Sequence, residues 1–183
     1  MTPYERALAE IGTREVVGVR HNATIVRYFS DAGHAWVKDD ETAWCAAFVG
    51  AMLARSGVKP SGLLTARSYL AWGEPVELAA AKPGDIAVFR RGTSEWQGHV
   101  AFFEGLAGDR VRVLGGNQSN SVSRASYPLA DLLAIRRTAS QGRPPVSSKP
   151  PPASRTTPKP PSALWGALAA AAAIAFAYIM GRK

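Results

Sequence analysis

Asp40-Glu41-Thr42-Ala43-Trp44-Cys45-Ala46-Ala47-Phe48-Val49 is the stretch whose reading decides the fold. It holds the single cysteine of the chain, placed where an extended polar segment gives way to an apolar run. Downstream, Phe48, Val49, Met52 and Leu53 recur at helical spacing, and Gly57 stops the run. Upstream, Asp39, Asp40, Glu41 and Thr42 supply helix-starting chemistry. A thiol in the first helical turn faces the positive end of the backbone dipole. That favours the thiolate and lowers a free-cysteine pKa of about 8.5. A lone cysteine is more often a small buried hydrophobe. Three features weigh against that plain role: the helix-start position, a Gly98-His99 pair heading a later strand, and the polar pair Asn117-Gln118 beyond it.

Towards the N-terminus the pattern is helical. Thr2-Pro3 caps and opens a first helix through Tyr4, Leu8 and Ile11. Asn22 caps a second one carrying Ile25, Val26, Tyr28 and Phe29, closed by Gly33. His21 and His34 fall in loops and read as surface histidines. After the Cys45 helix, Thr65 caps a shorter helix through Tyr69 and Trp72.

Beyond Lys82-Pro83-Gly84-Asp85, a strong turn signal, the period changes. Ile86–Phe89, His99–Phe103 and Arg110–Leu114 read as strands, with Val122–Tyr127 and Leu132–Arg136 as two further short ones. Helices first and an antiparallel meander second predict an α+β domain of about five strands over residues 1–137. Residues 138–162 are rich in Pro, Ser, Thr, Lys and Arg, and read as an extended, semi-rigid linker. Residues 163–180 are an uninterrupted apolar run, closed by the basic end 181–183. About 18 helical residues at 1.5 Å each span roughly 27 Å, close to a ~30 Å hydrocarbon core. Trp165 and Tyr178 stand where interfacial aromatics belong. The expectation is a single-pass C-terminal membrane anchor on a chain without an N-terminal signal peptide; the alanine richness also suits a packed soluble helix.

The net charge of +8 is uneven. Residues 1–140 hold 16 basic and 14 acidic side chains, whereas residues 141–183 hold 6 basic and no acidic ones. The basic tail suits anionic surfaces. No motif for specific nucleic-acid binding is present, and no obligate protein partner is implied. One cysteine excludes an intrachain disulfide and a cysteine-based zinc site within one chain. With His21, His34 and His99 the only histidines and no metal-ligand spacing, neither a metal nor another cofactor is expected.

Cys45, His99 and Asn117 together suit nucleophilic catalysis. Thiolate attack on a carbonyl needs a base that takes the thiol proton and later returns it to the leaving amine. An imidazole does both near neutral pH, and an asparagine carbonyl holds the ring by accepting its N–H. Trp44-Cys45-Ala46-Ala47-Phe48, Pro83-Gly84-Asp85, Gly98-His99-Val100-Ala101 and Gly116-Asn117-Gln118, in that order, resemble the papain-like peptidoglycan hydrolases of the CHAP and NlpC type. The likeness runs over residues 5–137 and is nearest to a phage endolysin-like branch, which Ile11-Gly12-Thr13-Arg14-Glu15 also resembles.

The resemblance implies a papain-like fold and a cysteine amidase or endopeptidase cutting an amide of the bacterial cell wall. Cys45 would be nucleophile, His99 base and acid, and Asn117 the orienting residue. Relatives place Asn, Asp, Glu, Gln or His at that third position. Glu104 is a rival, but its spacing on a strand turns it away from His99. Asp40, Trp44 and Gln118 are expected as groove residues. Two alternatives stand beside this reading: a toxin-like cysteine hydrolase of non-wall amides, and an inactive membrane-tethered binding module.

Overall fold

The computed structural model describes residues 1–18 and 20–139; the linker from residue 140 onward and the apolar run 163–180 lie outside the described residues. Helix α1 (Pro3–Ala9) opens with a capping box, in which Thr2 and Glu5 exchange side-chain-to-backbone bonds. Helix α2 (Ala23–Asp31) is capped by the Asn22 side chain on the Thr24 amide. Helix α3 (Cys45–Arg55) is different. Its N-cap is Trp44, which makes no side-chain capping bond. The acidic residues expected to start it do other work: Asp39 accepts from the Thr42 amide in the preceding turn, and Asp40 faces the N-terminal loop. The first-turn N–H groups of α3 are therefore left to other partners.

Six antiparallel strands follow: β1 (Glu74–Val76), β2 (Ile86–Arg90), β3 (Gly98–Ala107), β4 (Arg110–Gly115), β5 (Ser123–Pro128) and β6 (Leu132–Arg137). Their order in the sheet is β1-β6-β2-β3-β4-β5. The sequence predicts five of them. The sixth, β1, contains Pro75 and pairs only with β6, which suits the sheet edge, where a residue without an N–H is tolerated. The short helix expected after Thr65 is a 3-10 helix, Ala66–Ala71, without a Thr65 side-chain cap. Its Trp72 Nε1 donates instead to the Lys59 carbonyl. The result is an α+β domain with helices on one face of a six-stranded antiparallel sheet.

Alternation along the strands divides the core. Val88, Val100, Phe102 and Leu114 face the helices and pack with Phe48, Met52, Tyr28 and Trp44. Ala87, Phe89, Ala101, Phe103, Val111 and Val113 form a second cluster on the other face. Asp85 of the Pro-Gly-Asp turn is buried and paired with Arg137 at 2.7 Å, tying the start of β2 to the end of β6.

The sheet opens at one place. Phe103 donates to the Asp85 carbonyl and accepts from the Gly84 amide, so its polar groups face the β2 side. By alternation Val100 turns its N–H towards β4. β4 pairs with β3 only as far as Leu114 opposite Phe102, and the Gly115-Gly116-Asn117-Gln118 segment then leaves the ladder. Gly116 runs against the helix: a Cβ there would lie 2.6 Å from both Phe48 and Trp44.

A cysteine, a histidine and a carboxamide at the end of the sheet

Cys45 is the first residue of α3, and 7% of its surface is exposed. Three backbone N–H groups face its sulfur: its own, that of Ala46, and that of Val100, the amide left free where β4 departs. These donors favour the thiolate, and so does the positive charge of Arg91, but burial outweighs them and pushes the thiol pKa up. The resting side chain is a neutral thiol.

His99 is the second residue of β3 and is buried to 1% exposure. Its ring lies tilted at 4.9 Å from Tyr127 of β5 and stacks at 6.5 Å on Phe89, its cross-strand partner on β2. Burial, reinforced by Arg91, pulls its pKa down to about 4 against the supporting bond from Gln118. At neutral pH it is an uncharged imidazole.

The tautomer follows from Gln118. Its side-chain nitrogen donates to the carbonyls of Gly115 and Ser123. That leaves its Oε1 as the acceptor facing His99 Nε2, 3.1 Å away. The His99 proton is therefore on Nε2, and Nδ1 carries a lone pair. Among the described residues Nδ1 is the one buried side-chain polar atom without a hydrogen-bond partner. No hydrogen bond joins Cys45 to His99 among the described residues.

The other residues singled out from the sequence fall in different places. Asn117 stands in the left-handed region with φ 56° and makes no hydrogen bond to His99; the partner is the next residue, Gln118. In that conformation Asn117 serves as a turn residue. Gln118 is thus a ring partner rather than a groove residue. Asp40 is fully buried and accepts from the amides of Val16 and Asn22 at 2.9 Å, with His21 Nδ1 at 3.0 Å. It fastens the N-terminal loop and does not line a groove. Trp44 is also fully buried, with its Nε1 on Glu15 Oε1 and its rings against Tyr28 and Phe48. Glu104 does face away from His99, accepting from Tyr4 at 2.7 Å and pairing with Arg124. Tyr127 and Arg91, which flank the histidine, are not foreseen in the sequence. Their proximity depends on β5 pairing and on the β2–β3 connection, and neither has a local signature.

A groove of about 810 Å³ lies elsewhere, between Lys59, Pro60, Arg67, Leu70, Trp72 and Thr138. Among the described residues no group of three or more His, Cys, Asp or Glu is placed to hold a metal ion.

The site thus combines a cysteine opening a helix, a strand histidine with a free nitrogen, and a carboxamide on its other nitrogen. Residues 37–117 match the CHAP domain family, whose members are typically amidases or peptidases. The match ends one residue before Gln118. No curated protein matches the chain. Among solved structures, a lipoprotein-like protein of the NLP/P60 family from Staphylococcus aureus is similar, at 19% identity and a TM-score of 0.46. That likeness covers 75% of this chain and 40% of the staphylococcal one, so the chain spans well under half of its neighbour's length.

Proposed function

We propose that the domain is a cysteine-dependent peptidoglycan hydrolase, cutting an amide bond as an amidase or endopeptidase. The observation that carries this is the division of labour on His99: Nε2 is held by Gln118, while Nδ1 keeps a bare lone pair in a buried site. In the proposed reaction Nδ1 takes the Cys45 proton as the sulfur attacks the carbonyl carbon of the amide. The negative charge on the tetrahedral oxygen falls at the uncapped start of α3, where the Cys45 N–H is a donor. The imidazolium then gives its proton to the leaving nitrogen as the C–N bond breaks, leaving a thioester. Water attacks the thioester, giving its proton back through His99, and the carboxylic acid leaves Cys45 as a thiol. Gln118, by accepting from Nε2–H throughout, keeps the ring turned and stabilises its charged form.

The wall as substrate is supported by the CHAP match. The finer role is a lytic enzyme of the phage endolysin type, tethered at a membrane through residues 163–180; it rests on the sequence motifs and on the apolar run. Mass spectrometry of purified sacculi digested with the full chain tests the activity and identifies the bond. New amino and carboxyl termini are expected with wild type and not with Cys45→Ser. Unchanged sacculi, with turnover of other amide substrates, would move the domain to the toxin-like class. Cell lysis that persists in Cys45→Ser would move it to a binding module or a membrane-disrupting tail.

A further inference from the structure

The segment Ile11-Gly12-Thr13-Arg14-Glu15 takes no part in the reaction just described, yet it is fastened along most of its length. Gly12 donates its N–H to the Val122 carbonyl, and Val122 donates back to the Thr13 carbonyl. Arg14 bridges Ser121, and the Glu15 N–H donates to the Asn120 carbonyl at 2.9 Å. The segment thus lies antiparallel against the turn that carries Gln118. Three non-glycine residues of that turn, Asn117, Ser119 and Asn120, stand in the left-handed region. Such a backbone persists only where its surroundings over-determine it. Two further bonds hold the segment from outside the turn. The Asn22 side chain donates to the Arg14 carbonyl at 2.8 Å, and Asp40 accepts from the Val16 amide at 2.9 Å. Between these anchors Glu15 sends its half-buried side chain to the start of α3, where its Oε1 accepts from Trp44 Nε1 at 2.6 Å.

One residue therefore touches both halves of the site. Trp44 is the N-cap of α3 and the residue before Cys45, and no side-chain capping bond fixes it there. Its indole is fully buried, so loss of the Glu15 acceptor would leave a buried N–H unpaired and favour a changed ring position. The same ring bounds Gly116, where an added Cβ would lie 2.6 Å from its Cζ3. Gln118 is gripped on either side, by the indole at Gly116 and by the Glu15 amide at Asn120. Resting on the hydrolase reading above, we propose that Glu15 is a positioning residue: through Trp44 it sets the start of α3, and with it the Cys45 sulfur, against the turn that aims Gln118 at His99. A carboxylate suits this task, because a charge-assisted bond is shorter and stronger than a neutral one. Glu15 touches no reacting atom. It acts by fixing a distance, and a misplacement of about 1 Å costs up to about a hundredfold in rate.

The test uses the full chain, with amine release from sacculi as one readout and the ring-nitrogen NMR spectrum of His99 as the other. The chain has three histidines, so a histidine-labelled sample resolves that ring. Glu15→Ala is expected to lower kcat about tenfold or more with KM held within about twofold, and to turn the single Nε2–H tautomer of His99 into a mixture. Glu15→Gln, which keeps an acceptor for the indole, should recover most of both. Trp44→Phe removes the same bond from the other side and should reproduce both effects, which lets it stand in for Glu15→Ala if that variant does not fold. Adding Glu15→Ala to Trp44→Phe should cost less than about twofold more, because the two residues act through one bond. A lowered urea midpoint in either single variant with kcat and tautomer unmoved, or losses that multiply in the double variant, makes Glu15 a support of the core alone. That result overturns the positioning role and leaves the hydrolase reading standing. A tautomer shift in Glu15→Ala, against a wild type that cleaves no sacculi, supports the positioning role and sinks the hydrolase reading.

Discussion

Gln118 is fixed at both ends of its carboxamide: the nitrogen lies between two backbone carbonyls, and the oxygen has only His99 to accept from. A flipped amide would set two acceptors against each other and leave His99 Nε2–H facing an NH₂. Gln118→Ala is therefore expected to lower kcat roughly ten- to a hundredfold, because ring tautomer and orientation are lost together. Asn117→Gly, which keeps the left-handed backbone, should stay within about threefold of wild type. Amine release from sacculi by the two variants checks the pair; equal losses would mean that Asn117 contributes through more than its turn. His99 makes a second prediction, on pH. Its folded pKa of about 4 lies below the ordinary histidine value of 6.5. Between those values the unfolded chain binds a proton that the folded one refuses, so stability rises with pH across that window. The contribution is fully present above about pH 6.5 and is lost as pH falls towards 4. Urea midpoints measured at steps from pH 7 to pH 4 should fall more steeply for wild type than for His99→Phe, in which nothing titrates. Parallel curves would show that the imidazole is not held neutral.

The elements differ in how much of them the residues announce. Helix starts at Thr2 and Asn22 are legible because one side chain caps one nearby amide, and that is local chemistry. The strands β2 to β6 are legible through alternation and through the Pro83-Gly84-Asp85 turn. The start of α3 misleads: Asp39, Asp40 and Glu41 look like caps, yet Asp40 serves amides 18 and 24 residues away. The residue that bonds His99 Nε2 is Gln118, one position from the expected Asn117, for a related reason. Asn117 and Gln118 are both carboxamides, and only the backbone turn decides which one reaches back to β3. That turn is set by packing, because Gly115 and Gly116 leave room where Ala101, Phe48 and Trp44 press in. Gly116→Ala forces a methyl to within 2.6 Å of two fully buried aromatic side chains. It should cost about 1–3 kcal/mol by overpacking and should also displace the segment that carries Gln118. Chemical denaturation and sacculus digestion of this one variant should therefore fall together. A destabilised variant of unchanged kcat would separate the turn from the site.

On the scale of the whole chain, the charge balance and the apolar run argue in one direction. The folded part is nearly neutral, whereas residues 141–183 carry six basic side chains and no acidic ones. A polybasic stretch next to an apolar segment gains about 1 kcal/mol per Lys or Arg at an anionic leaflet. Residues 163–180 contain no charge, but many are alanine, which adds little insertion energy compared with Leu or Phe. The two contributions are separable, because salt screens the first and not the second. The full chain is expected to sediment with vesicles containing anionic lipid and to stay bound in high salt. A chain ending at residue 140 should remain in the supernatant while keeping its activity on soluble muropeptides, since the described α+β unit holds every residue assigned to catalysis. Release of the full chain by salt alone would reduce the tail to an electrostatic contact, and its absence from the pellet at low salt would end the anchor proposal. Loss of muropeptide turnover in the shortened chain would instead make the segment beyond residue 140 part of the catalytic unit.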